Sequence, residues 1–203
     1  MIRYSKGAQP SVLTELQNAR PPPPWDSAPR KSEIREAVVR DQASLCAYCQ
    51  TRIVAAEKSV RLAHVVPRNK GGDVFAWSNL VGSCTAPDSC DVHQQDTELW
   101  LHPVQGQGQD PEVHLSYGRD GRVKSEDARA EDDIKALNLN SRSLIQARKV
   151  VLDGLRDVGR RRYAGRFPAS FIEGQLRLCE IRSGTLALPH ARFLAYHLKR
   201  WLR

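Results

Sequence analysis

The position of its cysteines constrains this chain more than any other feature. Four of the five fall between residues 46 and 90, as Cys46-x-x-Cys49 followed by Cys84 and Cys90; the fifth, Cys179, lies far downstream. Two close thiol pairs separated by a loop suit tetrahedral zinc, because each pair delivers two thiolates from one tight turn. The second pair is spaced more widely than the first, so His93 is an alternative to Cys90 as fourth ligand. A redox role for Cys46-x-x-Cys49 would need a thioredoxin-like strand–helix setting, which the flanking residues do not provide. A disulfide framework is equally out of place. The opening MIRYSKGAQPS has no apolar leader, which points to the cytoplasm, where thiols stay reduced.

With 203 residues, 40% of them hydrophobic, the chain can bury one core or a small module packed on a helical body. No apolar run approaches a membrane span, so no membrane partner is expected. Residues 1–30 read as an extended arm: Pro21–Pro24 favour a polyproline conformation and cannot continue a helix. Such an arm serves as a tether, or as a docking strand with Trp25 as its anchor. Residues 31–104 hold the cysteine–histidine block, entered by a helix over about 33–44 that Ser32 would cap. Residues 105–203 form a hairpin turning at Asp120-Gly121 and a helical region. There Asn140 reads as a cap, and helices are expected near 130–137, 143–158, 168–182 and 189–202, the last two opened by Pro168 and Pro189. Cys179 sits in an apolar stripe as a core thiol.

The formal charge is +8, and it is uneven. From Ser141 onward 14 Lys and Arg face 4 Asp and Glu, a surplus of 10. A basic segment of this kind suits a polyanion such as DNA or RNA, with Arg160, Arg161 and Arg162 as the densest cluster. A solvated helical face would look the same by charge alone.

Between the thiol pairs lies VRLAHVVPRNKGG, residues 60–72. A strand through Val60–Leu62 delivers His64 at its end, and Pro67 blocks its continuation. The basic, glycine-containing loop that follows gives way to a second strand in NLVGS, and a helix starts near Cys90 with Asp91 in its first turn. A hairpin this short cannot bury a core of its own, so zinc would replace the missing hydrophobic closure.

The order Cys-x-x-Cys, His-x-x-Pro, Gly-Gly, Asn-Leu, Cys, Cys-Asp resembles that of the HNH endonucleases, whose core is a ββα-metal finger. MIRYSKG, LCAYC, HVVP, SNLVGSC and LNLN before an arginine-bearing helix extend the likeness to the PtuB-type HNH nucleases of Septu anti-phage defence, which partner an ATPase. The resemblance implies an α+β fold: a zinc-supported ββα finger embedded in a mostly helical body. It makes His64 the general base that activates water, Asn79 the residue that holds the loop and orients His64, and Asp91 a ligand of magnesium or manganese. The chemistry agrees, since histidine titrates near neutral pH and hard divalent cations take carboxylate and phosphate oxygens. DNA, duplex rather than RNA, is the expected substrate; Arg61, Arg68 and Lys70 would approach its backbone.

One position departs from the family. Where an acidic residue or a second histidine usually precedes the base and binds the catalytic metal, this chain has Ala63. A methyl group cannot coordinate, so the resemblance implies a weak or inactive metal site, whether the alanine is natural or engineered. Two other readings follow: a zinc-stabilised nucleic-acid adaptor without catalysis, and a subunit whose task is to dock on an ATPase. His102, His114, His190 and His197 lack ligand spacing and read as packing or surface residues.

Overall fold

The computed structural model describes residues 1–88 and 90–202. It is α+β, with eight α-helices and two small antiparallel sheets among the described residues. In chain order these are α1 (Ser11–Asn18), α2 (Lys31–Asp41), β1 (Val60–His64), β2 (Leu80–Cys84), α3 (Asp91–Gln94), α4 (Pro111–His114), β3 (Ser116–Tyr117), β4 (Val123–Lys124), α5 (Ala128–Ala136), α6 (Arg142–Tyr163), α7 (Ala169–Leu178) and α8 (Ala191–Trp201). No helix is long and apolar enough to cross a membrane.

The central hairpin pairs β1 with β2 in the register Val60↔Cys84 to His64↔Leu80. Only β1 flanks β2 in the sheet, and the other edge of β2 is closed by the buried amide of Gln42. Gln42 Oε1 accepts from Gly82 N at 2.7 Å, while Nε2 donates to Gly82 O at 2.9 Å. The approach is close: a Cβ on Gly82 would lie 3.1–3.2 Å from the side chains of Val60, Gln42 and Ile53, which would have to yield by a few tenths of an ångström. The same glutamine extends α2, whose Ile34, Ala37, Val38 and Asp41 form its buried stripe at helical spacing.

Residues 1–30 correct the expectation of an extended arm. Ser11–Asn18 is a helix that buries Val12, Leu13 and Leu16. Met1, Ile2, Tyr4 and Trp25 are also buried. Ile2 N donates to Ala47 O at 2.9 Å, and Tyr4 forms a parallel bridge with Val104. The Lys6 ammonium lies 3.4 Å from the Trp77 ring centroid and donates to the Leu80 carbonyl. The polyproline stretch therefore links two anchored segments and does not hang free. Helix α2 also begins earlier than Ser32 would set it. Arg30 takes a left-handed conformation at its N-cap and forks onto Glu33 at 2.6 and 2.9 Å, fixing the first turn without a side-chain cap.

The C-terminal half follows the expected order with shifted boundaries. The hairpin is short, because Asp110 caps Pro111–His114 as a helical turn where strand was expected. Ser141, not Asn140, caps α6. Asn140 is committed to the hairpin, accepting from Val123 N and donating to Val123 O, each at 2.8 Å. Buried Arg148 bonds the Gly121 and Leu139 carbonyls at 3.0 and 2.8 Å, tying α6 to the hairpin and to the end of α5. Helices α7 and α8 lie within the stretches opened by Pro168 and Pro189.

Because Leu13 is fully buried, we expect Leu13→Ala to lower the unfolding free energy by about 2–5 kcal/mol in urea titration. A loss below about 0.5 kcal/mol, the range of surface changes, would mean that residues 1–30 do not belong to the core.

Candidate functional site

The two cysteine pairs meet. Cys46 and Cys49 come from a knuckle closed by Cys46 N donating to Thr51 O at 2.9 Å and by left-handed Gln50. Cys84 ends β2, and Cys90 sits at the N-cap of α3 with a φ of 60°. All four sulfurs lie within 4.8 Å of one another and are buried. Cys46 and Cys90 are 3.8 Å apart, and Cys49 and Cys84 are 3.6 Å apart. These are not disulfide lengths, but a tetrahedron with Zn–S bonds of about 2.3 Å has edges of about 3.8 Å. The quartet could hold a metal ion such as zinc. Cys90 completes it; His93 is exposed and engages the Ala136 carbonyl at 2.9 Å instead.

The electrostatics of the quartet favour a cation. Burial opposes ionisation of Cys46, yet hydrogen bonds from Cys49, Cys84 and Cys90 outweigh it and hold its pKa well below the ordinary thiol value. Their bonds to Cys46 push Cys49 and Cys90 the other way. The Cys84 pKa is lowered with that of Cys46, so the four thiols compete for protons, and a divalent ion would remove that competition.

Beside the quartet, the end of β1 and the start of α3 face a cleft of about 410 Å³. His64, Asp91, Arg61, Arg68, Trp25 and Asp26 line it. His64 Nε2 lies 3.0 Å from the Val74 carbonyl, which can only accept, so Nε2 carries the proton and Nδ1 is the basic nitrogen. Burial lowers the His64 pKa below its ordinary value; the Val74 bond opposes this and the Arg68 charge reinforces it. The Trp25 ring meets the imidazole edge-on, with centroids 4.7 Å apart and planes at 77°.

Asn79 braces the loop that follows His64. Its Oδ1 accepts from Val66 N at 2.7 Å, and its Nδ2 donates to Val66 O at 3.0 Å and Asp73 O at 3.3 Å. The loop closes against Gly72, where a Cβ would fall 2.3 Å from Val66 O. Buried Gln94 donates from α3 to the Val65 carbonyl at 3.1 Å. Burial raises the Asp91 pKa, opposed by the Arg61 guanidinium 3.4 Å away.

The structure thus gathers His64, Asp91, Arg61 and Arg68 around one cleft, with Asn79 behind it. Lys70 is exposed on the adjoining turn and does not line the cleft. Arg160 lines a different cleft, and Arg161 and Arg162 are exposed on the last turn of α6. Ala63 alternates to the strand face of Arg61 and is buried, so its methyl adds no ligand. Trp25, Asp26 and Asp96 were not evident as site residues, since they join the cleft only through the packing of residues 1–30 and the turn after α3. Of the other histidines, His190 Nδ1 donates to Cys49 O at 3.0 Å, and the His102 Nδ1 accepts from Val104 N at 3.1 Å. Burial pushes the Cys179 thiol up to about 11, as suits a core residue.

No protein-family model matches the chain, and no curated protein matches it.

We expect one zinc per chain by elemental analysis, and insoluble or unfolded protein from Cys46→Ser or Cys84→Ser. Structural zinc in small peptides contributes roughly 10–16 kcal/mol, so its loss is not absorbed silently. Well-folded protein that contains no zinc would sink the assignment.

Proposed function

We propose that this chain is a metal-dependent HNH-type endonuclease that cleaves DNA phosphodiester bonds, built on a zinc-supported ββα finger. The observation that carries this reading is His64 at the end of β1, with Nε2 tied to the Val74 carbonyl and Nδ1 left basic, beside the Asp91 carboxylate in one arginine-flanked cleft. Nδ1 takes a proton from water, and the hydroxide formed attacks phosphorus. The Val74 bond fixes the tautomer, while Asn79 and Gln94 hold the backbone on either side of the loop. Arg61 and Arg68, half-exposed, hold the flanking phosphates. Asp91 offers the hard oxygen that would hold magnesium or manganese, which when bound would supply stabilisation of charge on the leaving oxygen. The zinc is structural in this scheme. The sequence resemblance supports a partnership with an ATPase in anti-phage defence.

A second reading, a nucleic-acid adaptor without catalysis, is favoured by Ala63 and by Arg61, which already serves as counter-ion to Asp91. Plasmid cleavage with manganese and the co-expressed ATPase separates the two. Under the nuclease reading His64→Ala lowers the rate about 10²–10⁴-fold while zinc content stays unchanged. Ala63→Glu, which adds a carboxylate on the strand face of Arg61, raises it. If Ala63→Glu retains zinc and binds DNA but cuts nothing, the adaptor reading takes its place.

The pH profile gives a further check. Neutral His64 is the active form, and its pKa lies below the ordinary 6.5. Cleavage should therefore persist below pH 6.5 and fall only as the pH drops through the lowered value. A limb centred above 6.5 would remove His64 from the role of base.

A further inference from the structure

A second cleft, of about 510 Å³, shares no lining residue with the first. Four guanidinium groups converge on it from three parts of the chain: Arg119 from the β3–β4 turn, Arg156 and Arg160 from α6, and Arg166 from the segment before α7. Arg156 and Arg160 meet Asp153 and Asp157 only at 3.5 Å, and neither Arg119 nor Arg166 has a carboxylate partner among the described residues. The positive field reaches inward: burial lowers the His197 pKa to about 4 against a bond to the Gly118 backbone, and the charges of Arg156, Arg119 and Arg200 add to the lowering.

The other wall is aromatic. Phe171, Phe167 and Trp201 form a stack, with centroids 5.2 and 4.9 Å apart and planes within 5° and 11° of parallel. Phe167 reaches this position because α6 carries Gly159 beneath it; a Cβ there would lie 2.3 Å from the ring. Phe167 and Trp201 remain partly exposed where they line the cleft. Gly165, with a φ of +84°, forms a wall with open space where a side chain would project.

We propose that this cleft binds single-stranded nucleic acid, seating one nucleotide with its base against the aromatic stack and its phosphates on Arg119, Arg156, Arg160 and Arg166. The volume falls in the range of about 300–1,000 Å³ typical of small-ligand sites. Arginine forks match phosphate oxygens, and every base offers a face to an aromatic ring. A duplex hides those faces in its own stack, so the site selects unpaired strands. The inference goes beyond the nuclease reading and does not depend on cleavage.

The test is anisotropy of fluorescein-labelled dT15 with the full chain, without added divalent metal. We expect dT15 to bind about tenfold or more tighter than an abasic strand of equal length. The exposed pair Arg119→Glu with Arg166→Glu should weaken binding at least tenfold and flatten its salt dependence, with melting temperature unchanged. Trp201→Leu should erase the preference over the abasic strand. His64→Ala should bind dT15 as the parent does, which keeps this result separate from any failure of the nuclease reading. Full affinity in the double arginine variant, equal affinity for the abasic strand, or competition by dTMP as strong as by dT15 would overturn the proposal.

Discussion

The convergence of four thiols is the constraint on which the rest of the molecule is arranged. Cys46 and Cys49 lie on the knuckle after α2, Cys84 ends β2 and Cys90 begins α3, so one cluster fixes three backbone segments together. The sheet they frame has two strands of five residues each, too small to exclude water from its own hydrogen bonds. What holds it is the gathering of the four thiols at one end, where a metal ion could join them, and Gln42 along one edge. The positions of Asp91 and His64 follow directly: Asp91 is the residue after Cys90, and His64 pairs with Leu80 at the far end of the ladder that Cys84 begins.

Around this centre the chain uses buried polar groups as fixed joints. Gln42, Asn79, Gln94, Arg148 and Asp133 each satisfy backbone atoms of segments distant in sequence. Such joints cost desolvation and return directionality, since each is satisfied in one register only. Leu and Val alone would hold the same segments together with less control of angle. The bond from His64 Nε2 to the Val74 carbonyl, which sets the imidazole tautomer, is a contact of the same directional kind.

The sequence made some of this legible and hid the rest for identifiable reasons. Pro67 and the spacing from Val60 mark the end of β1, and the thiol pairs mark the cluster, because these signals act over a few residues. Residues 1–30 escape a local reading because Met1, Ile2, Tyr4 and Leu13 are buried by tertiary packing, with Tyr4 bridging to Val104 a hundred positions away, which no local period reports. Asn140 and Ser141 are equally good caps, and only the hairpin's demand for Asn140 decides between them. His64 and Asp91 were readable from their order; Trp25 and Asp26 were not, since their place depends on tertiary packing.

Trp25 carries a consequence for how the cleft can be divided. The span 31–104 contains every thiol of the cluster, His64, Asn79 and Asp91, and looks like a portable unit. Yet the imidazole rests against an indole that lies outside that span, and Arg68 reaches Asp26 at 3.2 Å. Excising the span would keep the four thiols and expose the histidine on the side Trp25 now covers, raising its affinity for protons. The boundary of the chemistry is therefore wider than the boundary of the fold that carries it.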